Sequence, residues 1–162
     1  MSRTRVLPKD VRDSCLAYVR GYARRREEYI NRRAEILSVS TSNVVTIKDP
    51  DDPENENKHE GVILPGSHHA SRTAEDIAAK IEELEQQPET KRMRAVEYAA
   101  GKVGRDLPEE QRKILVNAIF TSCIQGRKYP FERLQVEGME RSCFYDRRMK
   151  FLVDIAKYMG MI

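Results

Sequence analysis

The chain has 162 residues, of which 40% are apolar and 34% charged, with a formal net charge of +3. No run approaches the roughly 18 consecutive apolar residues of a membrane span, and the basic start Met1-Ser2-Arg3-Thr4-Arg5 lacks the apolar stretch of a secretory signal. The three cysteines, Cys15, Cys123 and Cys143, are odd in number and far apart, which argues against a disulfide framework and predicts a cytoplasmic chain with reduced thiols and no membrane partner.

The first predicted element is a long helix over residues 9–37. Leu16, Val19, Ala23, Ile30, Ala34 and Leu37 recur at three, four or seven residues and form one narrow apolar stripe. Val11, Cys15, Tyr18, Tyr22 and Tyr29 add a second, more aromatic edge. Gly21 weakens this helix by about 1 kcal/mol relative to Ala. So thin a stripe, set among Arg24-Arg25-Arg26 and Arg32-Arg33, needs a partner helix from this chain or from another copy.

Residues 38–72 lose the helical period. Two β-prone runs, Val44-Val45-Thr46-Ile47 and Gly61-Val62-Ile63-Leu64, flank Asp49-Pro50-Asp51-Asp52-Pro53-Glu54-Asn55-Glu56-Asn57. A long mobile connection is the simpler reading and a hairpin the other, because two strands alone are marginal. Residues 48–60 carry a net charge of −4. Helix returns where Ser71 or Thr73 can cap a first turn. Ala74, Ile77, Ile81 and Leu84 then repeat the three-four spacing, so the two stripes fit an antiparallel pair. Pro88 ends or kinks the second helix.

From residue 89 the chain reads as a compact helical unit. Met93, Val96, Ala99, Ala100 and Val103 line one helix, with Gly101 and Gly104 at its fraying end. Asp106-Leu107-Pro108-Glu109-Glu110 places acids where a helix dipole favours them. Ile114, Leu115, Ala118, Ile119 and Ser122 form the buried face of the next helix, which stops before Gly126. Pro130 opens a short helix, Gly138 can take the positive φ that turns the chain, and a last helix runs to Met159. A short helix, a glycine turn and a basic-aromatic helix match a helix-turn-helix DNA reader.

At 100° per residue the last helix separates into two sides. Phe144, Phe151, Leu152, Ile155 and Met159 share one, with Tyr145 and Arg148 at its edge; Ser142, Cys143, Asp146, Arg147 and Lys150 share the other. Residues 127–150 carry a net charge of +3, which suits a polyanion. The first turns of such a helix enter the major groove, so Ser142, Cys143, Asp146 and Arg147 are the candidate base readers. Arg127, Lys128, Arg141, Arg148 and Lys150 are the candidate phosphate contacts. The competing reading is a solvated amphipathic face, which Glu132, Glu137, Glu140 and Asp146 favour because each repels phosphate.

Other chemistry is thin. His59, His68 and His69 lack metal-ligand spacing, the acidic run lacks the alternating ligands of a calcium loop, and neither a phosphate cradle nor a nucleophile elbow is present. Cys143 lacks the surrounding loop of a phosphatase-like nucleophile. The chain is expected to be no enzyme and to use no cofactor.

Three segments carry a family resemblance: Leu107-Pro108-Glu109-Glu110-Gln111-Arg112-Lys113-Ile114-Leu115, Gly138-Met139-Glu140-Arg141-Ser142-Cys143-Phe144-Tyr145-Asp146-Arg147-Arg148, and Pro65-Gly66-Ser67-His68-His69-Ala70-Ser71-Arg72-Thr73-Ala74. They resemble phage-encoded transcriptional activators of the RinA and ArpU type, whose C-terminal part is similar to region four of sigma-70 factors. The resemblance implies an all-α fold: a helical hairpin or coiled-coil arm over 1–88, with a central loop at 38–72, then a sigma region 4-like helix-turn-helix domain over 89–162. It also implies groove-facing positions for Ser142, Cys143, Asp146 and Arg147. A further implication is a role in switching on phage genes in a bacterial host, with double-stranded DNA and the host RNA polymerase as partners. Self-association is expected through residues 9–87. A phage terminase small subunit and a helical adaptor without a nucleic-acid role are the alternatives.

Overall fold

The structure, a computed structural model, describes residues 6–38 and 68–162, and within them the chain is all-α. The β-prone runs at 44–47 and 61–64, the acidic stretch 48–60 and His59 lie outside the described residues. The first predicted helix is divided at Gly21 into α1 (Lys9–Arg20) and α2 (Tyr22–Ser38). The hydrogen-bond ladder runs on across the break, Gly21 N–H donating to Ala17 O at 3.0 Å and Arg25 N–H to Gly21 O at 3.1 Å. Glycine fits here because Arg25 folds back over it. A Cβ on Gly21 would stand 2.6 Å from Arg25 Nη1, which donates to Tyr18 O at 3.0 Å.

The next helix, α3 (His68–Gln86), begins before the predicted cap. Residues 68–72, expected to belong to the long connection because the helical period is lost over 38–72, are therefore helical. A bend at Gln87 hands the chain to α4 (Pro88–Lys102), where Pro88 sits in the first turn, the one helical position that does not need its missing N–H. Then come α5 (Glu109–Gln125), a single 3₁₀ turn (Phe131–Leu134) and α6 (Arg141–Tyr158).

Two compact units divide the chain, one taking residues up to Arg26 together with Pro88–Ile162, the other Glu27–Gln87. This differs from a boundary at residue 88 with α1 in the arm. In the first unit α6 packs most extensively on α4, and α1 crosses α4, α5 and α6. Cys15 and Val19 of α1 are fully buried beside Val96, Leu115, Ile119, Phe144, Phe151, Leu152 and Ile155. The aromatic edge of the first predicted helix is what recruits it, since Val11 and Tyr18 of α1 and Tyr22 at the start of α2 pack against that core. Tyr22 meets Phe120 edge-on with centroids 5.7 Å apart, and Arg25 Nε donates to the Glu89 carboxylate.

Ile114, predicted on the buried face of α5, is instead 49% exposed, while Leu115, Ala118, Ile119 and Ser122 are buried as expected. The end of α4 is held rather than frayed. Arg112 of α5 donates to Val103 O at 2.9 Å and Gly101 O at 2.8 Å, and Arg105 donates to Gly101 O at 3.0 Å. These bonds satisfy carbonyls that a helix end leaves without partners.

In the second unit the Tyr29 phenol donates to the Glu85 carboxylate, and Arg32 Nη1 donates to Gln87 Oε1 at 2.8 Å. Leu84 is buried, whereas Ile30 and Leu37 of the predicted stripe are 47% and 42% exposed. No residue of α2 is buried.

Candidate nucleic-acid interface

The segment before α6 turns on positive-φ residues. Pro130 is extended (φ −70°, ψ 143°) and enters the 3₁₀ turn, Gln135 leaves it in the left-handed region at φ 53°, and Gly138 reverses the chain at φ 72°. The first helix of the expected helix-turn-helix pair is thus one 3₁₀ turn of four residues, because Gln135 and Gly138 both leave helical space within a turn of each other. That turn braces α6. Leu134 is buried, and the Phe131 ring lies 5.4 Å from Phe144 and 6.5 Å from Tyr145.

The opposite face of α6 meets solvent. Ser142, Cys143, Asp146 and Lys150 are exposed, as is Arg141, whose guanidinium lies 5.9 Å from the Tyr145 ring centre. Arg127 and Lys128 are exposed in the turn after α5. No acid stands in the first turn of α6 and no side chain caps it, so its leading N–H groups and Arg141 together favour an anion there. Glu132, Glu137 and Glu140 are exposed nearby and oppose that field.

Two of the predicted contacts are occupied by the fold. Arg147 forks onto Asp106, with Nη1 2.9 Å from Oδ1 and Nη2 2.7 Å from Oδ2. The hydrogen bond from Arg147 holds the Asp106 carboxyl down to about 2, and the same pairing raises Arg147. Arg147 is therefore committed to the turn between α4 and α5 rather than to a base edge. Arg148 points inward, with Nε shielded from solvent without a hydrogen-bond partner and the side chain against the buried Cys123 thiol. Position 148 lies four residues from both Phe144 and Leu152, so the period that found the buried face put this arginine at its edge.

Sequence reasoning missed Lys102 and Arg105. They flank Gly104 (φ 62°) in the turn between α4 and α5 and line a cleft with Arg147 and Lys150. The signal was present as two basic residues within a glycine-punctuated helix end, at Gly101-Lys102-Val103-Gly104-Arg105.

Among the described residues no helix is long and apolar enough to cross a membrane, and no group of three or more His, Cys, Asp or Glu could hold a metal ion. Compared with protein-family models, with curated proteins and with solved structures, the chain matches none.

Proposed function

We propose that the chain is a DNA-binding transcriptional regulator of phage or prophage type that presents α6 to the major groove of duplex DNA. The observation that carries this reading is the division of α6: Phe144, Phe151, Leu152 and Ile155 anchor it in the core while Ser142, Cys143, Asp146 and Lys150 stand on one solvent face. Recognition by a groove-seated helix needs that combination of a rigid mount and an open polar side. Ser142, Cys143 and Asp146 are the base-reading positions in this proposal, and Arg127, Lys128, Arg141 and Lys150 hold phosphates. The resemblance to RinA- and ArpU-type activators supports the same reading and adds the host polymerase as a partner. Exposed Ile30 on α2 gives the second unit an apolar surface for self-association.

The test is binding of fluorescent mixed-sequence duplex DNA over a salt series. Wild-type protein is expected to bind with log affinity falling linearly in log salt. Arg127→Gln/Lys128→Gln/Arg141→Gln is expected to reduce that slope by about 2.7, at about 0.9 per phosphate contact. Absence of binding at low salt sinks the regulator reading and leaves a helical adaptor.

A further inference from the structure

The cleft beside α6 joins two elements that the sequence keeps far apart. Lys102 and Arg105 come from the end of α4 and the turn after it, Arg147 and Lys150 from the middle of α6, and together they line a hollow of about 650 Å³. Asp106 and Asp154 also line it, so four cationic side chains face two carboxylates. The acids are taken up locally: Asp106 by the Arg147 fork, Asp154 by Lys102 Nζ at 3.7 Å. Lys102 Nζ also lies 4.2 Å from the centre of the exposed Tyr98 ring. Arg105 and Lys150 are both exposed and have no carboxylate within ion-pair distance among the described residues. The hollow therefore has surplus positive charge, concentrated at Arg105 and Lys150.

Lys150 belongs to two surfaces, the solvent face of α6 and the wall of the cleft. A major groove is about 12 Å wide, so a helix lying in it has a sugar-phosphate strand along each flank. The flank of α6 that carries Arg147 and Lys150 opens into the cleft.

We propose that this cleft seats the second phosphate strand of the duplex, with Arg105 and Lys150 as its principal contacts and Asp106 as the acid that limits its strength. The proposal rests on the DNA-binding reading and extends its Lys150 contact into the cleft that Lys150 shares with Arg105. Asp106 acts in two ways. Its charge opposes an incoming phosphate, and it occupies the bidentate donors of Arg147, the geometry best matched to phosphate.

The experiment uses the full chain and a mixed-sequence duplex over the same salt series. Arg105→Gln/Lys150→Gln leaves both carboxylate pairs intact and is expected to lower the salt slope by about 1.8, two contacts at about 0.9 each. Asp106→Asn removes the opposing charge and is expected to tighten binding at low salt by about two- to fivefold, converging with wild type at high salt where surface charges are screened. Thermal melts must show Arg105→Gln/Lys150→Gln within a few degrees of wild type and Asp106→Asn, which loses the fork, still fully folded at the assay temperature, which separates lost contacts from lost fold. A wild-type slope that responds to Arg127→Gln/Lys128→Gln/Arg141→Gln but not to Arg105→Gln/Lys150→Gln overturns the cleft alone. Failure of wild type to bind DNA overturns both readings.

Discussion

Arg147 and Asp106, 41 residues apart, form a two-bond fork in which Nη1 and Nη2 each meet one carboxylate oxygen, at 2.9 and 2.7 Å. This ties the second turn of α6 to the turn between α4 and α5. The sign of its pH dependence follows from the direction of the shift. Asp106 titrates at about 2 in the folded chain against an ordinary 3.8, so its contribution is complete above pH 3.8 and is lost as pH falls toward 2. Glu89, held low first by its hydrogen bond from Arg25, acts with the same sign. Melting temperature is expected to be flat from neutrality to about pH 5 and to fall below it; Asp106→Asn should flatten part of that fall. Identical acid limbs in the variant and wild type would remove the fork from the stability of the fold.

Arg148 gives the opposite expectation from its neighbour. Its Nε is buried without a partner, and an unsatisfied buried donor costs about 1–3 kcal/mol. Replacing it with an apolar chain of similar length, Arg148→Met, is expected to leave stability unchanged or raise it by about 1 kcal/mol. DNA affinity should stay within about twofold, since its Nε is turned to the protein and surface charge effects at that range are small. Urea unfolding and the salt series read the two effects, and a tenfold loss of affinity in a folded variant would return Arg148 to the interface.

The end of α4 rests on Gly104 and Arg112. Gly104 has φ 62°, and a Cβ there would lie 3.3 Å from Arg112 Cγ and 3.4 Å from Leu115 Cδ2. Gly104→Ala is expected to cost about 1–2 kcal/mol for the left-handed backbone. Arg112→Ala removes two donors from carbonyls at Gly101 and Val103 and should cost a further 1–3 kcal/mol, roughly. Chemical denaturation measures both, and a neutral Gly104→Ala would mean the turn relaxes out of the left-handed region.

Phe144 is fully buried and meets the Phe131 ring tilted, with centroids 5.4 Å apart. Phe144→Ala should cost about 3–5 kcal/mol and unfold the mount of α6. Phe131→Leu keeps an apolar side chain while losing the ring contact, so it should loosen the start of α6 with a smaller loss of stability. Amide exchange across residues 141–145 reports the difference; unchanged protection in Phe131→Leu would show that the 3₁₀ turn does not brace the helix.

The three thiols differ in access. Burial pushes the Cys15 thiol up to about 11 and also raises Cys123, while Cys143 is exposed on α6. A disulfide reagent is expected to modify one thiol rapidly in native protein and the other two only on unfolding. Bound duplex should slow the rapid reaction if α6 enters the groove. Equal rates with and without a duplex that binds would place the contact elsewhere.

Local pattern was enough for elements whose signals lie within a few residues. Pro88, Pro108 and Gly126 bracket α4 and α5 as the sequence predicts, and the spacing of Phe144, Phe151, Leu152 and Ile155 identifies the buried side of α6. A helical period reports which side of a helix is apolar, and proline and glycine report where its backbone must stop; both are properties of adjacent residues. The assignments that changed depended on partners distant in sequence. Whether Arg147 faces a base or a carboxylate was decided by Asp106, and whether α1 joins an arm or a core by the helices that meet Cys15 and Val19. The charge on an arginine is set by its chemistry, but what neutralises it is set by packing. Tertiary contact alone brought Lys102 and Arg105 beside Lys150, turning two unremarked cations at a helix end into the wall of a cleft.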